Sequence, residues 1–477
     1  MASLSGIVKS IRKHMREDRG VNGDAQRLEQ IGWLLFLKIF DDKEIELEAM
    51  RPGYRSPIPA QLKWRNWAAD DEGMTGDALL DFVNDELFPT LSTLPYVEND
   101  PRRDVVREIF EGNNNYMKSG TLLKKVVIEI NRIDFNKSKD KQVFGRIYED
   151  LLKELQSAGK SGEFYTPRGV TQFMVDRIAP RIDEVVFDPA CGTGGFLTAA
   201  AEAMRDQAKS VEDFGKLQDN IRGMEVKPLP YQLCITNLIL HGIEEPNVRY
   251  DSTLSRELNT IRRKERVDVI LANPPFGGVV GQGEENNVPA KYRSRESADL
   301  FLLYIMRYLK QTGRAAIILP DGSLTGEGTK AALREKWLTD CNLHTIIRLP
   351  NSVFKPYATV ATNILFFDAG APTEGIWYYE HRLPEGQKSY SKTKPIRRAE
   401  FAPVDAWWDD RQESEQSWYV DRATLEKRGY DLDVKNPNLP DEDLGDPVEL
   451  LAAYRKAEAE LREAQDALLA ELSKTLG

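Results

Sequence analysis

The run with the clearest chemical potential is ILANPPF at 270–276, where an apolar, β-branched stretch, VDVILA at 267–272, stops at an amide, two prolines and an aromatic ring. An exocyclic amino group conjugated to a purine or pyrimidine is a poor nucleophile because its lone pair is delocalised into the ring. Asn273 can accept one of its N–H groups and the Pro274 carbonyl the other, a geometry that favours a pyramidal, reactive nitrogen. Pro274 and Pro275 stiffen that acceptor pair, and Phe276 offers a face on which the base can stack. A base inside a duplex must first leave the stack to be reached. Such a scheme needs no general base of unusual pKa, in keeping with only four histidines. Asn-Pro and Pro-Pro are also ordinary loop punctuation, so the tetrapeptide alone leaves both readings open.

A second run, VVFDPACGTGGFL at 185–197, carries a strand to Asp188 and then turns through Gly192, Gly194 and Gly195 into a helical pattern. Glycines let the main chain approach a ligand, and a helix start offers free N–H groups. The dinucleotide fingerprint needs a third glycine where Leu197 stands, which disfavours a pyrophosphate binder. A carboxylate at Asp188 would repel phosphate but suits a sulfonium carrying an amino-acid ammonium group, and S-adenosylmethionine has both. Glu225, ending the second strand, is placed to hold ribose hydroxyls, and Asp251, after the third, to accept from an adenine amino group. Upstream, Thr166 and Pro167 read as a helix start. Glu163, Phe164 and Tyr165 before them suit packing against the methionine end of such a cofactor.

These residues must be positioned by larger elements. Residues 1–155 read as helical, with apolar stripes at Leu28, Ile31, Leu35 and Ile39 and at Val143, Ile147, Leu151 and Leu155. From 156 to 385 strands alternate with helices, at 184–188, 221–226, 248–250, 267–272, 314–320, 343–349 and 361–367, which predicts a doubly wound, mostly parallel sheet. Ligands of such sheets bind beyond the carboxyl ends of the strands. The Gly-rich stretch after Phe276, at 277–299, predicts a mobile loop over the site. Residues 386–445 read as an irregular connector. Residues 446–477 read as one amphipathic helix capped by Asp446, with Pro447 in its first turn and a near-heptad stripe through Leu450, Tyr454, Ala457, Leu461, Ala464, Leu468 and Leu472 that suits a partner's helix.

A chain of 477 residues, 41% hydrophobic, can bury a large core. Cys191, Cys234 and Cys341 form no CxxC pair, so neither a disulfide framework nor a zinc site is expected, and a reducing cytoplasm is the expected home. No run suits a signal peptide or a membrane span. The net charge of −11 argues against coating nucleic acid by bulk electrostatics. The basic runs IRRKER at 261–266 and AKYRSR at 290–295 read as solvated surface.

The order GEFYTPR, DPACGTGGFL, GMEV, NPPF resembles the amino-methylating DNA adenine methyltransferases of the gamma arrangement. It is similar most of all to the modification subunit of type I restriction-modification systems, whose plan of helical N-terminal domain, methyltransferase domain and helical tail matches nearly the whole chain. The resemblance implies a Rossmann-like S-adenosylmethionine-dependent α/β domain acting on N6 of adenine in double-stranded DNA. It places Glu163, Phe164, Tyr165, Thr166, Pro167, Arg168, Asp188, Ala190, Gly192, Thr193, Gly194, Gly195, Phe196, Glu225 and Asp251 around the cofactor, with Asn273, Pro274, Pro275 and Phe276 on the adenine. A second aromatic from a later loop would complete a sandwich on the base; Phe354 is the candidate, with Tyr357 close by. The implied partners are duplex DNA, a specificity subunit that reads the sequence, a second copy of the chain and a translocating restriction subunit. Methylation of RNA bases or of a protein glutamine amide, or an inactive assembly subunit, are the alternative readings. The intact motif positions weigh against the last.

Overall fold

A computed structural model describes residues 4–98, 100–133, 135, 166–355, 360–391, 393–438 and 447–476. The N-terminal part is helical, as its periodicity predicts: α1 (Leu4–Glu17), α2 (Gly23–Met50), α3 (Pro101–Glu111) and α4 (Gly120–Asn131) are its principal helices. Leu28, Ile31, Leu35 and Ile39 of α2 are all buried, and the Ile7, Ile11 and Met15 stripe of α1 joins the same core beside α4. Side-chain caps set two helix starts: Asp100 accepts from the Arg103 N–H ahead of Pro101, and Ser119 from the Leu122 N–H. The stripe from Val143 to Leu155 lies outside the described residues.

The second part is a nine-stranded sheet of β1 (Val186–Asp188), β2 (Ile221–Glu225), β3 (Asn247–Tyr250), β4 (Val267–Ala272), β5 (Leu309–Pro320), β6 (Cys341–Leu349), β7 (Thr362–Ala369), β8 (Gly375–Glu380) and β9 (Ser417–Asp421). Their spatial order is β3-β2-β1-β4-β5-β7-β6-β8-β9. The run from β3 to β5 is parallel; β7 runs antiparallel between β5 and β6, and β9 is antiparallel to β8. The expected doubly wound sheet is therefore present, but it extends through Asp421. The stretch read as an irregular connector holds β9 and short helices at 402–409 and 422–427.

The helices that frame the site are α5 (Arg168–Ile178), α6 (Gly195–Arg205), α7 (Pro228–Leu240) and α8 (Ser297–Tyr308); α9 (Thr329–Asp340) packs beside β6. α7 is buried along nearly its whole length because it lies against the N-terminal helices, where Gly32 of α2 leaves room for Gln232. The two parts share one apolar cluster that runs from Ile7 to Trp407. Polar groups cross the same boundary: the Tyr231 hydroxyl donates to Glu108 at 2.5 Å, and Arg102 donates to Glu44 and to the Glu244 carbonyl. The chain closes with α10 (Pro447–Leu476), on which Leu450, Tyr454, Leu461 and Leu468 are exposed; the expected cap, Asp446, lies outside the described residues. No helix among the described residues is long and apolar enough to cross a membrane.

Candidate active site

Asp188, Glu225 and Asn273 stand at or just past the carboxyl ends of β1, β2 and β4, neighbours in the sheet, so the register brings them to one edge. Past that edge opens a cavity of about 690 Å³. Of the residues expected there, Thr166, Asp188, Ala190, Gly192, Thr193, Gly195, Phe196, Glu225, Asp251, Asn273, Pro275 and Phe276 line it. Glu163, Phe164, Tyr165 and Tyr357 lie outside the described residues.

The glycine loop is held from several sides. Its Cys191 N–H donates to the Met224 carbonyl at 3.0 Å, the Gly192 N–H to Glu225 Oε2 at 2.9 Å, and the Asn237 side chain of α7 to the Thr193 carbonyl at 3.1 Å. Gly192 and Gly194 both take positive φ, +54° and +80°, where side chains are disfavoured. At Gly192 the space a Cβ would take is open, facing the cavity, whereas at Gly194 a Cβ would lie 2.8 Å from the Cys234 sulfur. Gly194 is therefore a packing glycine and does not line the cavity. Cys191 and Cys234, far apart in sequence, are buried with sulfurs 3.7 Å apart as free thiols.

The acidic pair has a distinct electrostatic character. Asp188 is buried, and that burial pushes its carboxyl up to about 8; the Ala190 N–H bonded to it opposes the shift, and the nearby Glu225 charge adds to it. Glu225 Oε2 accepts from the Gly192 N–H and Oε1 from the Lys227 N–H, which fixes the carboxylate at the cavity wall. Asp251 is exposed and accepts from the Ser252 N–H at 2.7 Å, so it shapes the turn as well as the wall.

At the other end, Asn273 Nδ2 donates to Thr166 Oγ1 at 3.0 Å, which orients the amide. Asn273, in a wall of the cavity, has its Oδ1 buried without a hydrogen-bond partner among the described residues. A buried acceptor left unpaired is costly. The loop after Phe276 is anchored at its base. The Val280 N–H donates to the Arg295 carbonyl, the Ser297 N–H to the Gly278 carbonyl, and Ser297 Oγ to the Pro275 carbonyl.

Besides Gly194, four expected residues stand elsewhere. Pro274 is buried behind the cavity wall, which leaves only its carbonyl a possible part. Pro167 is buried at the start of α5, where its carbonyl accepts from Val170 and Thr171. Arg168 faces Glu202 and a separate small cleft beside α6. Phe354 is buried and meets Phe276 edge-on, centroids 5.8 Å apart at 85°. A base sandwich needs two parallel faces with a ring's thickness between them, so the expected sandwich is not the arrangement here. Residues not anticipated include Val226, an exposed apolar side chain directly after Glu225, and Thr253, whose hydroxyl ties the turn after β3 to the Pro189 carbonyl at 2.6 Å. Glu284 reaches the wall by accepting from Ser252 Oγ. Val226 was detectable as an apolar residue following a strand-end acid; Glu284 looks like any loop carboxylate.

Comparison with known proteins shows the family of the chain. The N-6 DNA methylase family profile matches residues 139–443, and the HsdM N-terminal domain profile matches residues 4–130. The chain is 51% identical over 476 residues to the methylase subunit of the type I restriction enzyme EcoEI of Escherichia coli, covering 98% of this chain and 97% of that protein. It is 27% identical over 402 residues to the EcoKI methylase subunit of Escherichia coli K12, covering 79% and 70%. Among solved structures, a modification subunit ascribed to a type I restriction enzyme of Vibrio vulnificus superposes with a TM-score of 0.83 at 43% identity, over 91% of this chain and 97% of that one. A chain from a study of assembly of a type I restriction-modification system superposes with a TM-score of 0.80 at 36% identity, over 98% of each.

Proposed function

We propose, from the premise that the chain belongs to the N-6 DNA methylase family and is a type I restriction-enzyme methylase subunit, that Asn273 presents its amide oxygen to the N6 amino group of an adenine turned out of duplex DNA, beside S-adenosylmethionine held in the cavity. The observation that carries this reading is the pairing of a tethered Asn273 Nδ2 with an unpartnered, buried Oδ1. The donor set suits the cofactor: two carboxylates, Asp188 and Glu225, a loop with open space at Gly192, and the apolar Val226 and Phe196 walls.

When bound, S-adenosylmethionine supplies an activated methyl group. The chain's own residues then divide the work of binding and orientation. Asp188 faces the cationic methionine end, and Glu225 takes the ribose hydroxyls. Asn273 Oδ1, with the Pro274 carbonyl as second acceptor, holds the amino group so that its lone pair turns out of the ring plane. Thr166 keeps the Asn273 oxygen aimed at the cavity, and Phe276 backs the base. Preorganised acceptors of this kind act without reorganising during the reaction.

Sequence recognition falls to a DNA specificity subunit, in keeping with a chain that is acidic overall and whose sequence carries no obvious DNA-reading motif. The exposed apolar positions of α10 suit a helix of that subunit, a second copy of the chain completes the methylating complex, and a translocating restriction subunit adds cleavage. The DNA substrate makes the cytoplasm the place of action. The test is to incubate the full chain with methyl-labelled S-adenosylmethionine and duplex DNA, with and without the specificity subunit. The expected product is N6-methyladenine, formed only when that subunit is present. Label on RNA, on protein, or on another DNA base would overturn the reading.

A further inference from the structure

The opposite edge of the sheet carries a second cavity of about 550 Å³, at the amino ends of β4, β5 and β6. The six residues of β4 separate it from Asn273, a span of about 20 Å. Four cationic side chains line it, Arg266, Arg307, Lys310 and Lys336, against one carboxylate, Asp340, in a chain whose net charge is −11. The lysines are already neutralised: Lys310 donates to both oxygens of Asp268, at 2.8 and 2.7 Å, and Lys336 to Asp340 at 2.5 Å. The arginines are not. Arg307 donates only to the carbonyls of Ile261 and Asn259, and neither guanidinium meets a carboxylate among the described residues. Arg266 Nε and Arg307 Nε are both shielded from solvent without a hydrogen-bond partner among the described residues. Burial and the charges of Arg307 and Arg263 all push the Arg266 guanidinium below its ordinary value.

Two neighbouring, half-buried guanidiniums with no carboxylate partner among the described residues repel each other, and an anion between them would relieve that repulsion. The remaining wall is apolar, with Leu303, Met306 and Tyr292 among its residues. A concave space of this size, apolar but for a few convergent polar groups, suits a small molecule. A duplex that presents its base to Asn273 lies at the far edge of the sheet. We propose that this cavity binds a small organic oxyanion, a phosphate ester or carboxylate, whose charge rests on Arg266 and Arg307 and whose apolar body lies against Met306 and Tyr292. The basic run at 261–266 is thus more than solvated surface, because Arg266 turns inward at its end.

The test titrates the full chain by calorimetry with phenyl phosphate, benzoate and inorganic phosphate. The methyltransfer cavity sets the carboxylates of Glu225, Asp251 and Glu284 against one cation, Lys227, which disfavours all three probes there. Expected is saturable binding in which phenyl phosphate or benzoate exceeds inorganic phosphate by about tenfold, since the apolar wall adds the burial of a ring. Preference for phenyl phosphate assigns a phosphate ester and preference for benzoate a carboxylate. Arg266→Gln and Arg307→Gln should each weaken binding by about tenfold or more, the loss of a charge-assisted hydrogen bond, with methylation by the complex unchanged. Met306→Trp, which fills the apolar wall and leaves both arginines in place, should weaken the aromatic probes and spare inorganic phosphate. Absence of saturable binding to the wild-type chain, or binding indifferent to all three substitutions, overturns the proposal.

Discussion

Thr166 matters through what it does to Asn273. Their 3.0 Å hydrogen bond joins residues 107 positions apart, and it decides which end of the amide faces the cavity. Thr166→Val removes the acceptor while keeping the shape, so the amide can turn over and present its NH₂ group to a donor. Methyl transfer should slow by about tenfold to a hundredfold, with cofactor affinity nearly unchanged and Thr166→Ser restoring most of the rate; a loss confined to cofactor affinity would place Thr166 on the cofactor instead. Asp188 gives a pH signature. With its carboxyl pushed up to about 8, the folded chain holds a proton that the unfolded chain has lost above about pH 4. This group's contribution to stability therefore falls as pH rises through that window. A cation bound beside Asp188 favours the carboxylate, so S-adenosylmethionine binding at pH 7 should release about one proton, measured by calorimetry in buffers of different ionisation enthalpy and abolished in Asp188→Asn. Absence of proton release from the wild type would mean the methionine end lies elsewhere. The types of both residues were legible in the sequence, but the tether was not, because no local pattern links positions so far apart.

The glycine loop shows that one motif contains two kinds of glycine. Gly192 faces open space, whereas Gly194 sits at φ +80° with the Cys234 sulfur where a Cβ would go. Gly194→Ala should therefore destabilise the fold by about 1–3 kcal/mol through backbone strain and overpacking, read as a lowered Tm; an unchanged Tm would show that α7 yields at no cost. The sequence marked β4 at its observed bounds because its apolar run is continuous and ends on Asn273 and two prolines. It missed the start of β5, which begins at Leu309 and not at Arg314. β8 and β9 were hidden as well, since GIWYYE and SWYVD are short aromatic runs flanked by charge and irregular spacing, and only pairing with β6 and with each other defines them. Cys191 and Cys234 make the same point: their contact is a product of topology, invisible to a count of spacings.

Across the whole molecule, the helical part and the sheet are joined by a common core and by Arg102, which is buried with Glu44 and also donates to the Glu244 carbonyl. Removing one partner of a buried ion pair leaves the other uncompensated, so Arg102→Met should cost about 3–5 kcal/mol. The loss should appear in a single unfolding transition; two separated transitions in the wild type would show that the parts fold independently. The buried junction bears on function because α7, which holds the Thr193 carbonyl through Asn237, is the helix that α2 buries. The helical character of the first part and the parallel sheet of the second were legible from periodicity. Their fusion was not, because it depends on which faces meet.

The most direct measurement is single-turnover methyl transfer by the complex with its specificity subunit, comparing the wild type with Asn273→Ala, alongside equilibrium binding of S-adenosylmethionine to each. If the unpartnered Asn273 oxygen holds the adenine amino group, the transfer rate should fall by about a hundredfold or more, while cofactor affinity changes by less than about threefold. Transfer that persists near the wild-type rate, or a loss that cofactor affinity alone explains, would contradict that role.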